Sequence, residues 1–267
     1  EKVVPATKGY FDEKIAIIGG GPAGLSCAFY LAEKGYKPTI FEKNERAGGM
    51  LVYGIPSFKL EKDVVQAEID IIKEMGVEIK TGVEVGKDIT LDALRAQGYK
   101  AFYVAIGCQG GRLPGIPNDT AKGCATAVDL LKEVNANEKY DIKGDVVVIG
   151  GGNVSMDAVR TAKRLGAKKV SIVYRRRVAD MTALPAEIEG AVAEGIEVQT
   201  LMAPSRIETD ENGHVKGIYV TPQMISKIKD GRASVRPTGA PDVFIPCQTL
   251  IVAIGQDIEY QHFEEAG

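Results

Sequence analysis

Two glycine-rich stretches hold the residues best suited to chemistry. Residues 15–24 read IAIIGGGPAG and residues 146–155 read VVVIGGGNVS. Each is a β-branched run leading into a glycine turn and then a helix. In the first, Gly19, Gly21 and Gly24 have GxGxxG spacing, with Pro22 and Ala23 between them. Gly19 permits the tight turn, Gly21 lets a pyrophosphate approach the backbone, and Gly24 lets helix and strand pack closely. The helix start then offers free N–H groups and a partial positive charge to phosphates. The spacing alone is weak, so its context matters. Glu42 ends the next strand about 20 residues on, where a carboxylate accepts bonds from ribose hydroxyls. It also repels a 2′-phosphate, so the site suits FAD or NAD(H) better than NADP(H).

The second stretch, Gly150-Gly151-Gly152-Asn153-Val154-Ser155, carries serine where the third glycine would stand. A larger residue there widens the helix–strand gap and is compatible with a shifted dinucleotide. The following strand ends in Tyr174-Arg175-Arg176-Arg177 instead of an acid. Guanidinium matches phosphate bidentately and always carries its charge, so Arg175 and Arg176 are placed to hold the 2′-phosphate of NADP(H). The competing reading of these arginines is a solvated basic turn. Two dinucleotide sites in one chain predict electron passage between two dinucleotides.

Those motifs need two βαβ units to position them. The first is expected as strand 14–18, helix 23–34 capped by Gly35, and strand 38–42. Residues 48–59 read as loop, followed by helix 61–75, strand 77–80, a short helix at 91–96 and strand 101–106. Residues 110–123, rich in Gly and Pro, read as a crossover between domains. Beyond a helix at 127–134, the second unit is strand 145–149, helix 154–165 and strand 169–174. A helix at 185–194 follows, and short alternating stretches over 196–245 suggest an antiparallel meander. Residues 249–255, TLIVAIG, repeat the YVAIG of 103–107. The expected class is α/β, with two Rossmann-like dinucleotide-binding domains, the second carrying the meander. Their bounds are 1–114 and 115–248, with 249–267 starting a return into the first domain.

Composition narrows the partners. At 267 residues and 45% hydrophobic content the chain can build real cores, and a net charge of −3 gives no nucleic-acid footprint. Two histidines leave little room for a His-based metal site. No apolar run approaches the ~20 residues of a membrane span, and no signal peptide precedes the first strand, so a cytoplasmic protein is expected. Cys27, Cys108, Cys124 and Cys247 form no CxxC pair, which argues against a redox disulfide or an iron–sulfur cluster. They read as small buried hydrophobes, with Cys108, just after a strand, the one nearest a ligand. Glu1 at the start and Ala266-Gly267 at the end read as cuts in a longer protein.

Taken together, GGGPAG, Glu42-Lys43, the run GGMLVYGIPSFKLEK from Gly48 to Lys62, GGGNVSMD, YRRR and AIGQ resemble the glutamate synthase small-subunit family. Electron-transferring and bifurcating flavin oxidoreductase subunits are related to it, and dihydropyrimidine dehydrogenase shares the domain pair. The similarity covers nearly the whole chain. It implies FAD on the first block, held by Gly19, Gly21, Pro22, Ala23, Gly24, Glu42, Lys43, Gly49, Met50 and Val85, with Gly107 near the pyrophosphate. It implies NADPH on the second, held by Gly150, Gly152, Asn153, Val154, Ser155, Arg175 and Arg176. Lys59 and Lys62 are read as a solvated helix start. The implied partners are an iron–sulfur domain or subunit and a terminal acceptor subunit; neither nucleic acid nor membrane is expected. The family's N-terminal cysteine-rich iron–sulfur region and its flavin-closing Gly-Asp motif do not occur in this sequence.

Hydride transfer between nicotinamide and flavin is the cofactors' own chemistry, so no catalytic acid, base or nucleophile is assigned. The leading expectation is an NAD(P)H-dependent flavin oxidoreductase module. Its rivals are a module that binds nucleotide without turnover and a flavin subunit specific for NADH.

Overall fold

The computed structural model describes residues 3–137 and 140–264, with backbone only at Lys229 and Glu264. Glu1 and Ala266-Gly267, read above as cut ends, lie outside that set. The chain divides into two compact units, Glu1–Gln109 with Ile258–Gly267, and Gly110–Asp257.

The first unit runs β1 (Lys14–Ile18), α1 (Pro22–Lys34), β2 (Thr39–Glu42), α2 (Met50–Tyr53), α3 (Lys62–Glu74), β3 (Glu78–Thr81), α4 (Leu91–Ala96) and β4 (Tyr99–Val104). Proline at the first position suits α1, because that residue's N–H would have no helical partner. Gly35 ends the helix at φ 105°, its N–H donating to the Ala32 carbonyl at 3.0 Å. The strands form one parallel sheet in the order β3-β2-β1-β4. Alternation along each strand sends Ile17 and Ile40 to the face covered by Leu25, Ala28, Val65, Ile69 and Ile72 of α1 and α3. Ala16, Ile18 and Phe41 face Val85, Leu94 and Tyr99 on the other side, where Phe263 from a helical turn at Gln261–Glu264 also packs.

Two local expectations change here. Residues 48–59 hold α2, a single turn too short to show helical periodicity, docked by buried Val52 and Tyr53. Lys62 is half-buried, not solvated. Its Nζ donates to the Leu51 carbonyl at 3.0 Å and to that of Ile55, satisfying groups that so short a helix leaves open. Burial, and after it the Arg46 charge, holds this ammonium's pKa below its ordinary value.

The second unit runs β5 (Gly110–Gly111), β6 (Cys124–Thr126), α5 (Ala127–Asn137), β7 (Val146–Ile149), α6 (Asn153–Arg164), β8 (Val170–Tyr174), α7 (Pro185–Ala193), β9 (Glu197–Thr200), β10 (Met202–Thr209), β11 (Val215–Lys229), β12 (Arg232–Pro237), β13 (Val243–Pro246), β14 (Thr249–Val252) and β15 (Gln256–Asp257). Its main sheet is parallel, in the order β6-β14-β7-β8-β9. Every residue of β7, β8 and β14 is buried, as apolar central strands covered on both faces require. Val146, Val148, Ile172 and Ile251 pack with Leu130, Met156, Val159 and Ala191 of the helices. On the opposite face Val147, Ile149, Val173 and Leu250 meet Ile207, Val215, Ile218 and Ile245 of antiparallel strands, so the meander takes the place of a helical layer. Within it, β11 pairs with β10 and β13 along its first part and with β12 along its second.

Three expectations for this unit are corrected. β9, grouped with the meander, pairs in parallel with β8, because the connection through α7 returns the chain in the same direction. β11 is one strand of 15 residues and not a short stretch. β14, expected beside the first block, lies between β6 and β7 in the second unit's own sheet. The repeated AIG motif marks an equivalent place in each unit, not a shared sheet. The chain leaves the second unit only after β15, which pairs antiparallel with β5.

Candidate dinucleotide sites

In each sheet the chain order reverses beside one strand. β1 has β2 on one side and β4 on the other; β7 has β8 on one side and β14 on the other. The crevice at the carboxyl end of such a strand is where open α/β sheets take ligands. Gly19 follows β1 at φ 105°, and a Cβ there would stand 2.3 Å from the Ala105 carbonyl oxygen. Ala105 is held in place by its N–H, which donates to the Ile18 carbonyl at 2.7 Å. The second unit repeats this. Gly150 has φ 145°, its Cβ would stand 2.3 Å from the Ala253 carbonyl oxygen, and Ala253 N–H donates to the Ile149 carbonyl at 2.8 Å. In both units only glycine fits the turn, because the AIG segment closes over it.

A cavity of about 810 Å³ opens at the first crevice. Gly19, Gly21, Pro22, Ala23, Glu42, Lys43, Gly49, Met50, Val85 and Gly107 all line it, and Cys108 does too. Gly24 does not line it. It is buried, and a Cβ there would fall 1.9 Å from the Gly19 carbonyl oxygen, so its role is packing. A Cβ on Gly49, which sits at φ 53°, would come within 2.8 Å of Gly21 Cα, so two backbones meet here without side chains between them. Such a bare cradle fits a pyrophosphate.

Glu42 is 4% exposed, and its carboxylate is already engaged. Oε2 accepts the Gly20 N–H at 2.7 Å, and Oε1 accepts the Asn44 N–H and Nδ2 at 2.8 Å each. A carboxylate offers about four lone-pair directions, which leaves one for a ligand hydroxyl. Glu42 therefore braces the glycine turn as well as facing the cavity, a duty the sequence did not reveal. Residues from the far end of the chain complete the wall. Tyr260 and His262 line it, Glu259 pairs with Lys43 at 3.5 Å, and Gly86 makes room for His262.

The second crevice holds a cavity of about 560 Å³ lined by Gly150, Gly152, Asn153, Val154, Arg175 and Arg176. Ser155 is fully buried with its Oγ 3.5 Å from the Ala253 carbonyl, so it lies behind the cavity wall. Asn153 Oδ1 accepts the Leu184 N–H at 2.9 Å, and Ala183 N–H donates to the Gly151 carbonyl at 3.1 Å, lacing the following loop to the glycine turn. The three arginines have different surroundings. Arg177 grips Asp180 through two bonds of 2.8 Å and holds that carboxyl well below the usual carboxylate range. Arg176 Nε donates to the Ala233 carbonyl at 2.9 Å. Arg175 is exposed and, among the described residues, has no protein partner. Arg232 lines the same cavity. It stands far from the arginine turn in sequence, and no local motif singles it out.

Of the four cysteines, read above as small buried hydrophobes, only Cys247 is buried; Cys27 and Cys124 are half-buried, and Cys108, which lines the first cavity, is exposed. Burial pushes the Cys124 thiol up to about 11 and that of Cys247 up to about 12, so neither is a thiolate at neutral pH. Among the described residues no group of three or more His, Cys, Asp or Glu gathers to hold a metal. No helix among them is long and apolar enough to cross a membrane.

Fold and sites define the class: the chain belongs to the pyridine nucleotide-disulphide oxidoreductase family, whose family model matches residues 13–267. It is 39% identical over 260 residues to the NADP(+)-dependent formate dehydrogenase subunit beta of Moorella thermoacetica, covering 96% of this chain and 36% of that one. It is 36% identical over 255 residues to the glutamate synthase [NADPH] small chain of Escherichia coli strain K12, covering 91% and 54% respectively. The resemblance read from the motifs is thus borne out, and the chain spans only a third to a half of these two relatives. Among solved structures, FprA of Mycobacterium tuberculosis in complex with NADPH matches with a TM-score of 0.76 at 20% identity, over 91% of this chain and 71% of that one. That likeness is one of fold.

Proposed function

We propose that the first unit holds FAD, that the second holds NADPH, and that the protein moves hydride from NADPH to FAD for delivery to a partner. The observation that carries this reading is an opposition of charge at equivalent places. β2 ends in Glu42, which suits ribose hydroxyls, whereas β8 leads into Arg175 and Arg176, which suit a 2′-phosphate. Bound flavin and nicotinamide supply the redox chemistry themselves. The chain's own residues bind and orient. Gly21 and Gly49 admit the pyrophosphate, Glu42 holds the ribose end, and Asn153 and Val154 at the start of α6 receive the second nucleotide's phosphates. The names of the two relatives, a subunit beta and a small chain, support a partner that receives electrons; we assign it as an iron–sulfur domain or subunit with a terminal acceptor. The cytoplasm is the compartment this reading assigns.

The test is anaerobic spectroscopy of the purified protein after reconstitution with FAD. A flavin absorbance band that NADPH bleaches supports the reading. A flavin that binds but is not reduced by NADPH favours nucleotide binding without turnover, and faster bleaching by NADH favours the NADH-specific alternative.

A further inference from the structure

The turn after β8 and the β11–β12 hairpin are distant in sequence but meet at one residue. Ala233, 1% exposed, accepts from Arg176 Nε at 2.9 Å and donates its N–H to Asp180 Oδ1 at 2.9 Å. Asp180 is in turn held by Arg177. The residue before Ala233 is Arg232, so the stitch that anchors the arginine turn also fixes the backbone from which Arg232 projects. Three arginines, Arg175, Arg176 and Arg232, line one cavity. Asp180 is already committed to Arg177, and among the described residues neither Arg175 nor Arg232 has a protein partner. Like charges gathered without a counterion repel one another. Such a wall suits an anion.

We propose that Arg232 is a specificity residue for the 2′-phosphate of the nicotinamide nucleotide, and that the hairpin serves as a third arm of the phosphate clamp. This rests on reading the second unit as an NADPH site. A phosphomonoester carries close to two negative charges and three strong acceptor oxygens. Arg175 and Arg176 approach from one turn only, and Arg176 has one donor already engaged by Ala233. A fork from a separate element supplies donors that neighbours on one turn do not.

The experiment titrates the folded chain with 2′,5′-ADP and with 5′-AMP, two probes that differ only by the phosphate in question. Wild type should prefer 2′,5′-ADP. Arg232→Gln should weaken 2′,5′-ADP binding by roughly 10- to 100-fold, the scale of one lost hydrogen bond to a charged group. Binding of 5′-AMP should stay within about twofold, as for an ordinary surface substitution. Arg232→Lys, which keeps the charge but not the fork, should recover part of the loss. Arg236→Gln is the control, since Arg236 lies on the same strand but does not line the cavity. Equal losses from Arg236→Gln and Arg232→Gln would overturn the proposal. So would an Arg232→Gln protein that binds 2′,5′-ADP like a wild type that still prefers it. A wild type with no such preference would overturn it together with the NADPH reading.

Discussion

Replacing Gly21 and Gly24 in turn by alanine separates binding from packing within one motif. Gly21 stands just before α1 at φ −79° and ψ −174°, extended backbone that any residue adopts. A Cβ there would meet only Gly49 Cα, at 3.7 Å, an ordinary contact. Removing glycine's freedom from the unfolded chain should add about 0.4–1 kcal/mol of stability. The new methyl nevertheless stands on the wall of the larger cavity, where the proposed FAD would lay its pyrophosphate. We expect a loss of FAD affinity of at least about tenfold, or ~1.4 kcal/mol, with no fall in melting temperature. Gly24 is the opposite case. Its Cβ would lie 1.9 Å from the Gly19 carbonyl oxygen, whereas carbon and oxygen rest at about 3.3 Å or more. Helix α1 must therefore lift from β1, an overpacking strain of about 1–3 kcal/mol. At about 2–4 °C per kcal/mol for a chain of this size, Gly24→Ala should melt several degrees lower. Circular dichroism melts of the flavin-free protein measure the first quantity, and FAD fluorescence quenching the second. A Gly21→Ala protein that binds FAD like wild type, or a Gly24→Ala protein that melts with it, refutes the reasoning.

Further outcomes follow from the same geometry. Replacing Arg175 and Arg176 together by alanine should cost NADPH several kcal/mol, with the loss shrinking at high salt, while NADH changes little; equal losses for both would leave the arginines as a solvated turn. Glu42→Gln keeps one acceptor oxygen and turns its amide donor against the N–H of Gly20 or of Asn44, so stability and FAD affinity should each fall by about 1–3 kcal/mol; lost affinity at unchanged stability would show that Glu42 does not brace the turn. Preference for 2′,5′-ADP over 5′-AMP should decline as pH falls through about 6, where the 2′-phosphate gains a proton. Asp180, held low by Arg177, stays ionised across that range, so the clamp survives; both probes share a 5′-phosphate that gains a proton there too, so the ratio of affinities is the readout, and a preference unchanged below pH 6 would count against a 2′-phosphate contact.

What was legible in the sequence was local. Runs such as VVVI at β7 and IAII at β1 declare buried strands, and the glycines beside them declare turns that no side chain tolerates. The acid at Glu42 and the base at Arg175 distinguish the sites because each directly follows or ends a strand. What was not legible depends on contacts across the chain. Strand direction is not written in four residues, so β9 could not be told from the meander. The placement of β14 is set by which sheet has a free edge beside β7. Lys62 reads as a solvated charge until the open carbonyls of α2 are seen beneath it. Arg232 lines the second cavity only because a hairpin carries it there.

The antiparallel pairing of β5 with β15 bears on how such a chain can be remodelled. Gly110 lies opposite Asp257, Arg112 N–H donates to the Gly255 carbonyl at 3.1 Å, and the Arg112 Nε reaches Asp257 at 2.7 Å. The second unit thus begins and ends at neighbouring backbone positions. It is a cassette, entered and left through one clasped doorway after β1 to β4 have been laid down. Splicing at that doorway severs no host strand. Exchanging the second unit for another would need two cuts in the chain, at 109/110 and 257/258, that lie side by side in space, and would leave the core around β1 and α1 untouched.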